Sequence, residues 1–391
     1  MKTKLLLFAF TVALLSLRAV GDAPAVPQYA ITDLGLLQAP KYGSVEMGAF
    51  ALNDAGQVVG GDSHAFLWSG GKRTDLGALP KEGTEDFAYS VARGINSHGQ
   101  VVGSSGSFGP IVMSGLQFAR GILYGNGRLR QLTQRNSSFE PYAINDRGLI
   151  VGLDGYRGFL YKNGRLIPLG TLSNVPAGNR STARAINNSA QVVGWSTVNR
   201  GMFGAPYVEV GRLVKRQGKW VEETVRRVPT RTFFTHACLW RVIGKSVRQR
   251  DLGTLPGWVN SYAYGINDRG EVAGSISDAT GRPYGVDTDL ADTGGRAEAF
   301  LWRGGRMTGL GTLPGSRSSE AHGINNAGAV VGQSDNRAFL WQGRKMQDLN
   351  ALLPAASGWT LEEAQAINSR GQIAGSGMRD GQRHAFLLTP R

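Results

Sequence analysis

The sequence predicts an all-β fold, a seven-bladed β-propeller of four-stranded blades, and three observations carry that prediction. A motif of the form Gly-Ile-Asn-x-x-Gly-x-Val-Val-Gly occurs seven times between Ala51 and Gly375. Each copy is followed by an Ala-Phe-Leu-Trp-like run and, in several units, by Asp-Leu-Gly. The last unit stops after its third segment, at His384 to Arg391, and the missing fourth lies at the other end of the chain, in Tyr29 to Leu37. Repetition at this spacing announces an array of supersecondary units. Complementary chain ends predict that the N-terminal strand completes the last blade and closes the ring, leaving no open sheet edge. A β-solenoid is the alternative architecture, and it would need distinct caps in place of complementary fragments.

In chain order, Met1 to Gly21 carries Lys2 and Lys4, an apolar run Leu5 to Leu17, and small residues at Ala19 and Gly21. This is the pattern of a secretory signal peptide, too short in its apolar part to span a membrane. Residues 22–28 read as a short linker and 29–391 as a single propeller domain, which is expected to be secreted or periplasmic. The chain has one cysteine, Cys238, so no intramolecular disulfide can form. Cys238 stands where other units have Phe and is expected to act as a buried apolar residue.

Each unit divides into four short runs of β-forming residues bounded by Gly, Asn, Asp and Pro, the composition of strands and turns. The turn between the first two strands is exemplified by Asn267-Asp268-Arg269-Gly270. An Asn side chain there can hydrogen-bond the backbone ahead of it, and Gly accepts positive φ. Asn occupies the first turn position in every unit, as Asn53, Asn96, Asn145, Asn187, Asn267, Asn325 and Asn368, and a structural role in closing the hairpin is expected. The third run, such as Ala299-Phe300-Leu301-Trp302, is apolar on both faces. It must be covered on both sides, as a blade is by its two neighbours.

Three units are extended between their second and third strands, at 104–117, 196–235 and 275–297. In a propeller these connections share one face with the blade-to-blade connections, so all three should decorate that face. The longest carries Arg212, Lys215, Arg216, Lys219, Trp220, Arg226, Arg227 and Arg231, and its alternation over Val208 to Val214 and Lys219 to Val225 fits an extra hairpin. Cations interleaved with aromatics suit an anionic polymer, and those eight residues are the candidate ligand-binding set. The third insertion contains Asp287, Asp289 and Asp292, a weak calcium candidate, because oxygen donors are present but the EF-hand spacing is not. No cofactor is implied.

Histidine points away from catalysis. His64, His236 and His384 share one repeat position that elsewhere holds Arg120, Arg157, Glu298 or Arg337, His98 falls in a turn, and His322 precedes a core strand. No nucleophile elbow or phosphate-cradling loop is present. The formal charge of +14 falls by three on removal of Lys2, Lys4 and Arg18 with the signal segment. A chain this basic suits anionic surroundings such as acidic polysaccharide, with nucleic acid a weaker match.

The combination of Gly-Ile-Asn-x-x-Gly-x-Val-Val-Gly with His-Ala-Phe-Leu-Trp and Asp-Leu-Gly-Thr-Leu-Pro-Gly resembles the HAF-repeat family of bacterial extracellular repeat proteins. Ala65-Phe66, Ala299-Phe300, Ala338-Phe339 and Ala385-Phe386 keep its core, and Gly121-Ile122 and Gly158-Phe159 depart from it. The resemblance implies export and a repeat architecture and assigns no catalytic residue. Some members carry a C-terminal sorting segment; none is read up to Arg391, so surface anchoring is not expected. The expectation is therefore a noncatalytic binding scaffold that engages an anionic glycan, a cell-surface component or a protein through one face. A carbohydrate-active enzyme, hydrolase or lyase, working at the central axis is the alternative. Recurrence of the Asp-Leu-Gly carboxylate as Asp33, Asp75, Asp251 and Asp348 reads as a structural device.

Overall fold

A computed structural model describes residues 28–38, 47–80, 87–108, 119–133, 138–173, 180–198, 207–216, 219–229, 234–244, 246–278 and 296–391. The strand β1 (Tyr29–Leu36) precedes blade 1, which comprises β2 (Gly48–Leu52), β3 (Val58–Gly61), β4 (Ala65–Ser69) and β5 (Lys72–Gly77). Blade 2 comprises β6 (Phe87–Ile95), β7 (Val101–Phe108), β8 (Arg120–Gly125) and β9 (Arg128–Gln131). Blade 3 is β10 (Phe139–Ile144), β11 (Ile150–Asp154), β12 (Arg157–Lys162) and β13 (Arg165–Pro168). Blade 4 pairs β14 (Ser181–Ile186), β15 (Gln191–Val198), β18 (Phe234–Ile243) and β19 (Ser246–Gly253), with the hairpin β16 (Tyr207–Arg216) and β17 (Lys219–Pro229) inserted as a separate sheet. Blade 5 is β20 (Asn260–Ile266), β21 (Val272–Ser277), β22 (Ala297–Arg303) and β23 (Arg306–Gly309). Blade 6 is β24 (Glu320–Ile324), β25 (Val330–Ser334), β26 (Arg337–Gln342) and β27 (Lys345–Asp348). Blade 7 takes β28 (Trp359–Ile367), β29 (Ile373–Arg379) and β30 (Gln382–Pro390), and β1 is its fourth strand, antiparallel to β30 from Tyr29↔Pro390 to Leu36↔His384.

The protein is thus a seven-bladed propeller, closed as its two chain ends predict. The first strand of every blade touches the first strands of both neighbours, β28 meeting β2, so the first strands surround the axis. Phe66, Phe159, Phe300, Phe339 and Phe386 are buried at equivalent third-strand positions and pack in the seams between blades. Phe339 of blade 6, for example, lies among Ala299 and Leu301 of blade 5. Cutting such a ring back to Ala would cost about 3 to 5 kcal/mol. Cys238 occupies the same position in blade 4 and is fully buried, which pushes its thiol pKa up and keeps it inert.

The departure from Ala-Phe in blade 2, at Gly121, has a steric cause. At the first-strand position six residues before the turn Asn, blades 2, 5 and 6 have Ser90, Ser261 and Ser319, whose hydroxyls accept the N–H of Ala65, Ala237 and Ala299 in the preceding blade. Blade 3 has Phe139 there, stacked on Phe159 at 4.4 Å, and a Cβ on Gly121 would come within 2.4 Å of its ring. Gly121 therefore belongs with Phe139.

The insertions are shorter than expected, because β7, β15 and β21 continue to Phe108, Val198 and Ser277 before leaving their sheets. Ser104 and Ser105, for example, still pair with Gly121 and Arg120 across the sheet.

Candidate functional site

The turn asparagines have two jobs. Asn267 Oδ1 accepts the N–H groups of Arg269 and Glu271, at 3.1 and 2.9 Å, which closes its own hairpin. Its Nδ2 donates to the carbonyl of Asn325 in the next blade at 3.0 Å. The same inter-blade bond runs from Asn53 to Asn96, Asn145, Asn187, Asn267, Asn325, Asn368 and back to Asn53, a closed circle on the face bearing the first turns. An exposed arc repeats the idea one residue later, as in Asp146 accepting from Ser97 N–H at 2.8 Å. The structural expectation holds, and the linkage between blades is a role that the local turn pattern does not disclose.

His64, His236 and His384 meet the aspartates of the adjacent fourth strand, Asp75, Asp251 and Asp33, through Nδ1 at 3.0, 2.9 and 3.0 Å. Arg337 meets Asp348 in the same way at 3.2 Å. Each Asp also holds its own bend, Asp75 Oδ1 accepting from Gly77 N–H at 2.7 Å and Asp251 Oδ1 from Gly253 N–H at 2.7 Å. Blade 5 has Gly309 in place of Asp, and Glu298, at the histidine position, accepts the corresponding Gly311 N–H at 3.0 Å. Burial alone would raise the Asp75 carboxyl, but hydrogen bonds from His64 and the Gly77 N–H outweigh it and its pKa lies below the ordinary value. The pairs are internal to each blade, as a structural device requires.

Of the candidate ligand-binding residues, Arg212, Lys215 and Arg216 lie on β16 and Lys219, Trp220, Arg226 and Arg227 on β17. The register pairs Lys215 with Trp220, Arg216 with Lys219, and Arg212 with Glu223. The predicted hairpin is therefore present, with Lys215, Arg216 and Lys219 beside its turn and Arg226 and Arg227 toward its base, opposite Val210 and Glu209. Arg231, Asp287, Asp289 and Asp292 lie outside the described residues.

A second cluster, which sequence reasoning missed, surrounds the axis. In all seven blades the ladder between first and second strands shifts register around one residue: Phe50, Arg93, Tyr142, Arg184, Tyr264, His322 and Gln365. Each is the extra residue of a β-bulge, a device that re-aims a side chain. His322, expected ahead of a core strand, lies within β24 as its bulged residue. The opposing glycine makes the bulge possible: a Cβ on Gly274 would lie 2.0 Å from the carbonyl oxygen of Tyr262, and one on Gly332 1.9 Å from that of Glu320.

The bulged side chains touch in sequence around the ring. Arg93 lies over Phe50 at 5.4 Å and over Tyr142 at 5.6 Å, and Arg184 lies over Tyr142 at 4.6 Å and over Tyr264 at 5.6 Å. Tyr264 meets His322 edge-on at 6.0 Å, and His322 Nδ1 is 3.7 Å from Glu363 Oε1. Gln365 Nε2 donates to that same Glu363 oxygen. Glu140 and Glu320, two positions ahead of the bulges, add carboxylates, Glu140 accepting from the Tyr142 hydroxyl at 3.0 Å and Glu320 standing 3.9 Å from His322 Nε2. The signal was present in the sequence as the variable residue three places before each turn Asn, but only the bulge turns that position into a shared lining.

No helix among the described residues is long and apolar enough to cross a membrane. No family model matches the chain, and no curated protein matches it. Among solved structures the chain is similar to the extracellular domain of a hybrid two-component system from B. thetaiotaomicron, at 10% identity and a TM-score of 0.45 over 92% of this chain, and it spans 39% of that domain. It is also similar to a polysaccharide lyase of family PL25, an ulvan lyase, at 11% identity and a TM-score of 0.40, covering 93% of this chain and 94% of the lyase. An oxidoreductase described as a glucose dehydrogenase from Thermus thermophilus matches at 10% identity and a TM-score of 0.35, over 92% of this chain and 99% of that one.

Proposed function

We propose that the protein is an exported, noncatalytic binding scaffold that engages an anionic glycan or cell-surface component through the face bearing its insertions. One observation carries this reading: the two faces of the disc are built differently. The face of the first turns is tied blade to blade by the asparagine circle and is nearly identical in every unit. The connections between second and third strands, one of which holds the hairpin of β16 and β17 with its paired basic positions, start from the strand ends opposite those turns. Loops on a rigid scaffold are where binding groups accumulate, and cationic positions in register with a tryptophan position suit a polyanion with planar or ring-bearing units.

The test compares the mature protein with a variant in which 201–232 are replaced by a short Gly-Ser turn, in a binding screen of acidic and neutral polysaccharides. The expected result is binding to acidic polymers that weakens as salt rises and disappears in the variant while the melting temperature is kept. Binding that is indifferent to the replacement would overturn the reading.

One observation favours a second reading, a carbohydrate-active enzyme. His322 stands at the axis between Glu320 and Glu363, beside Tyr264, a grouping of proton donors and acceptors of the kind general acid–base chemistry uses. Release of reducing ends or unsaturated products from an acidic polysaccharide, abolished by His322→Ala, would establish it in place of the scaffold.

A further inference from the structure

The geometry points to the axial girdle as a binding site of its own, for a carboxylate-bearing sugar unit such as a hexuronate. In a repeat protein a position with a purely structural duty converges on one residue, as the turn position does on Asn and the opposing strand does on Gly. The residues flanking the bulge obey that rule, being Ala or Pro before it and Ala or Gly after it: Ala263 and Gly265 around Tyr264, Ala183 and Ala185 around Arg184. They are small because the first strands crowd one another; a Cβ on Gly265 would approach the His322 carbonyl to 2.9 Å. The bulged residue itself breaks the rule. Around the ring it reads Phe50, Arg93, Tyr142, Arg184, Tyr264, His322 and Gln365, and no two neighbours are alike. Seven backbone sites of one geometry thus present an asymmetric set of side chains toward one axis.

The set has the chemistry of acidic-sugar recognition. Both guanidiniums rest on the Tyr142 ring, and each has a second ring within reach, Phe50 for Arg93 and Tyr264 for Arg184. Stacking engages the faces of a guanidinium, and its five N–H groups lie in the plane, the geometry that matches a carboxylate in bidentate fashion. The partly exposed rings of Phe50 and Tyr264 on either side of them offer apolar surface to the C–H face of a pyranose, while the buried Tyr142 ring carries the two guanidiniums. The partly exposed carboxylates of Glu140 and Glu363 and the Gln365 amide are acceptors for sugar hydroxyls. Phe50, Arg93, Arg184, Tyr264, His322 and Gln365 are all partly exposed, so the lining is reached by solvent. This site is separate from the hairpin on which the proposed function rests.

Calorimetric titration of the mature protein with a trigalacturonate, a neutral trigalactoside and inorganic phosphate tests the assignment. The uronate is expected to bind, the neutral sugar to bind at least tenfold more weakly, and Arg184→Met and Arg93→Met to lose at least tenfold in affinity for the uronate. Tyr142→Phe keeps the ring and should stay within a few-fold. The 201–232 replacement should leave this binding unchanged, which separates its failure from that of the loop-face reading. Hydrogen exchange on the unmodified protein covers the case in which an arginine variant fails to fold: added uronate should protect amides of β6, β10, β14 and β20. Absent uronate binding, equal binding of the neutral sugar, binding of phosphate alone, or protection confined to the hairpin would overturn the proposal.

Discussion

Asn368 donates its Nδ2 to the backbone carbonyl of Asn53, 315 residues earlier in the chain, at 3.1 Å. This bond completes the circle of asparagines and joins blade 7 to blade 1 on the turn face. The pairing of β1 with β30 closes blade 7 itself, so two independent devices hold the ring shut.

Each asparagine in the circle is buried, and Asn267 shows how fully its side chain is used. It donates to Glu271 Oε2 at 2.6 Å and to the Asn325 carbonyl at 3.0 Å, and it accepts two backbone N–H groups. Asn267→Ala leaves those backbone groups unsatisfied in a buried place and is expected to cost about 1 to 3 kcal/mol. Asn267→Asp should cost at least as much, because an acceptor then faces the Asn325 carbonyl. Chemical denaturation of the two variants checks the order.

Acid should loosen the closing strand. Burial alone would raise the Asp33 carboxyl, but hydrogen bonds from His384, the Gly35 N–H and Arg379 outweigh it, and its pKa sits below the ordinary value. A depressed folded pKa contributes stability that is present above the unfolded value of about 3.9 and lost as pH falls through the folded one. The stability gap between wild type and Asp33→Asn should therefore be constant at neutral pH and shrink below pH of about 4. Thermal melts across that range, together with exchange of β1 amides, measure it.

Blade 5 predicts a non-additive pair. Glu298 holds the Gly311 N–H that an Asp at 309 would otherwise hold, and a Cβ at Gly309 would press on the Glu298 carboxylate. Glu298→His and Gly309→Asp are each expected to destabilise, by about 1 kcal/mol or more. Together they recreate the pair seen between His236 and Asp251, and the double variant should recover most of the loss. A double-mutant cycle with a coupling under about 0.5 kcal/mol would contradict the exchange of roles.

Ala190 fills the turn position that is Gly in the other six blades, and it does so at φ +58°. Ala190→Gly relieves that strain and should stabilise blade 4 by about 0.5 to 1 kcal/mol, read as a rise in denaturation midpoint.

The blades were legible because their determinants are local: an Asn turn, a two-faced apolar third strand, and the Gly of Val-Val-Gly recur within short windows. Ring closure was legible as well, since Tyr29 to Leu37 and His384 to Arg391 are complementary halves of one unit. The axial girdle was not, because its members are scattered from Phe50 to Gln365 and only the bulge and the circular order bring them together. The coupled changes at Glu298 with Gly309, and at Gly121 with Phe139, were hidden for the same reason: each looks like a lapse from the repeat until its cross-strand or inter-blade partner is known.

The fourth strand of blade 7 is the first strand of the described chain to be made, and its partner β30 is the last. At about 5 to 20 residues per second, a ribosome needs roughly 20 to 80 s to deliver both. Until β30 is made, β1 has no strand partner, and its Tyr29 and Leu34 lack the blade 7 residues they pack with, among them Phe386 and Leu387. Blades 1 to 6 contain their own strands and can form as they emerge, whereas the seventh cannot. The pairing of β1 with β30 joins the two ends of the described chain, and long-range pairing of this kind is intrinsically slow.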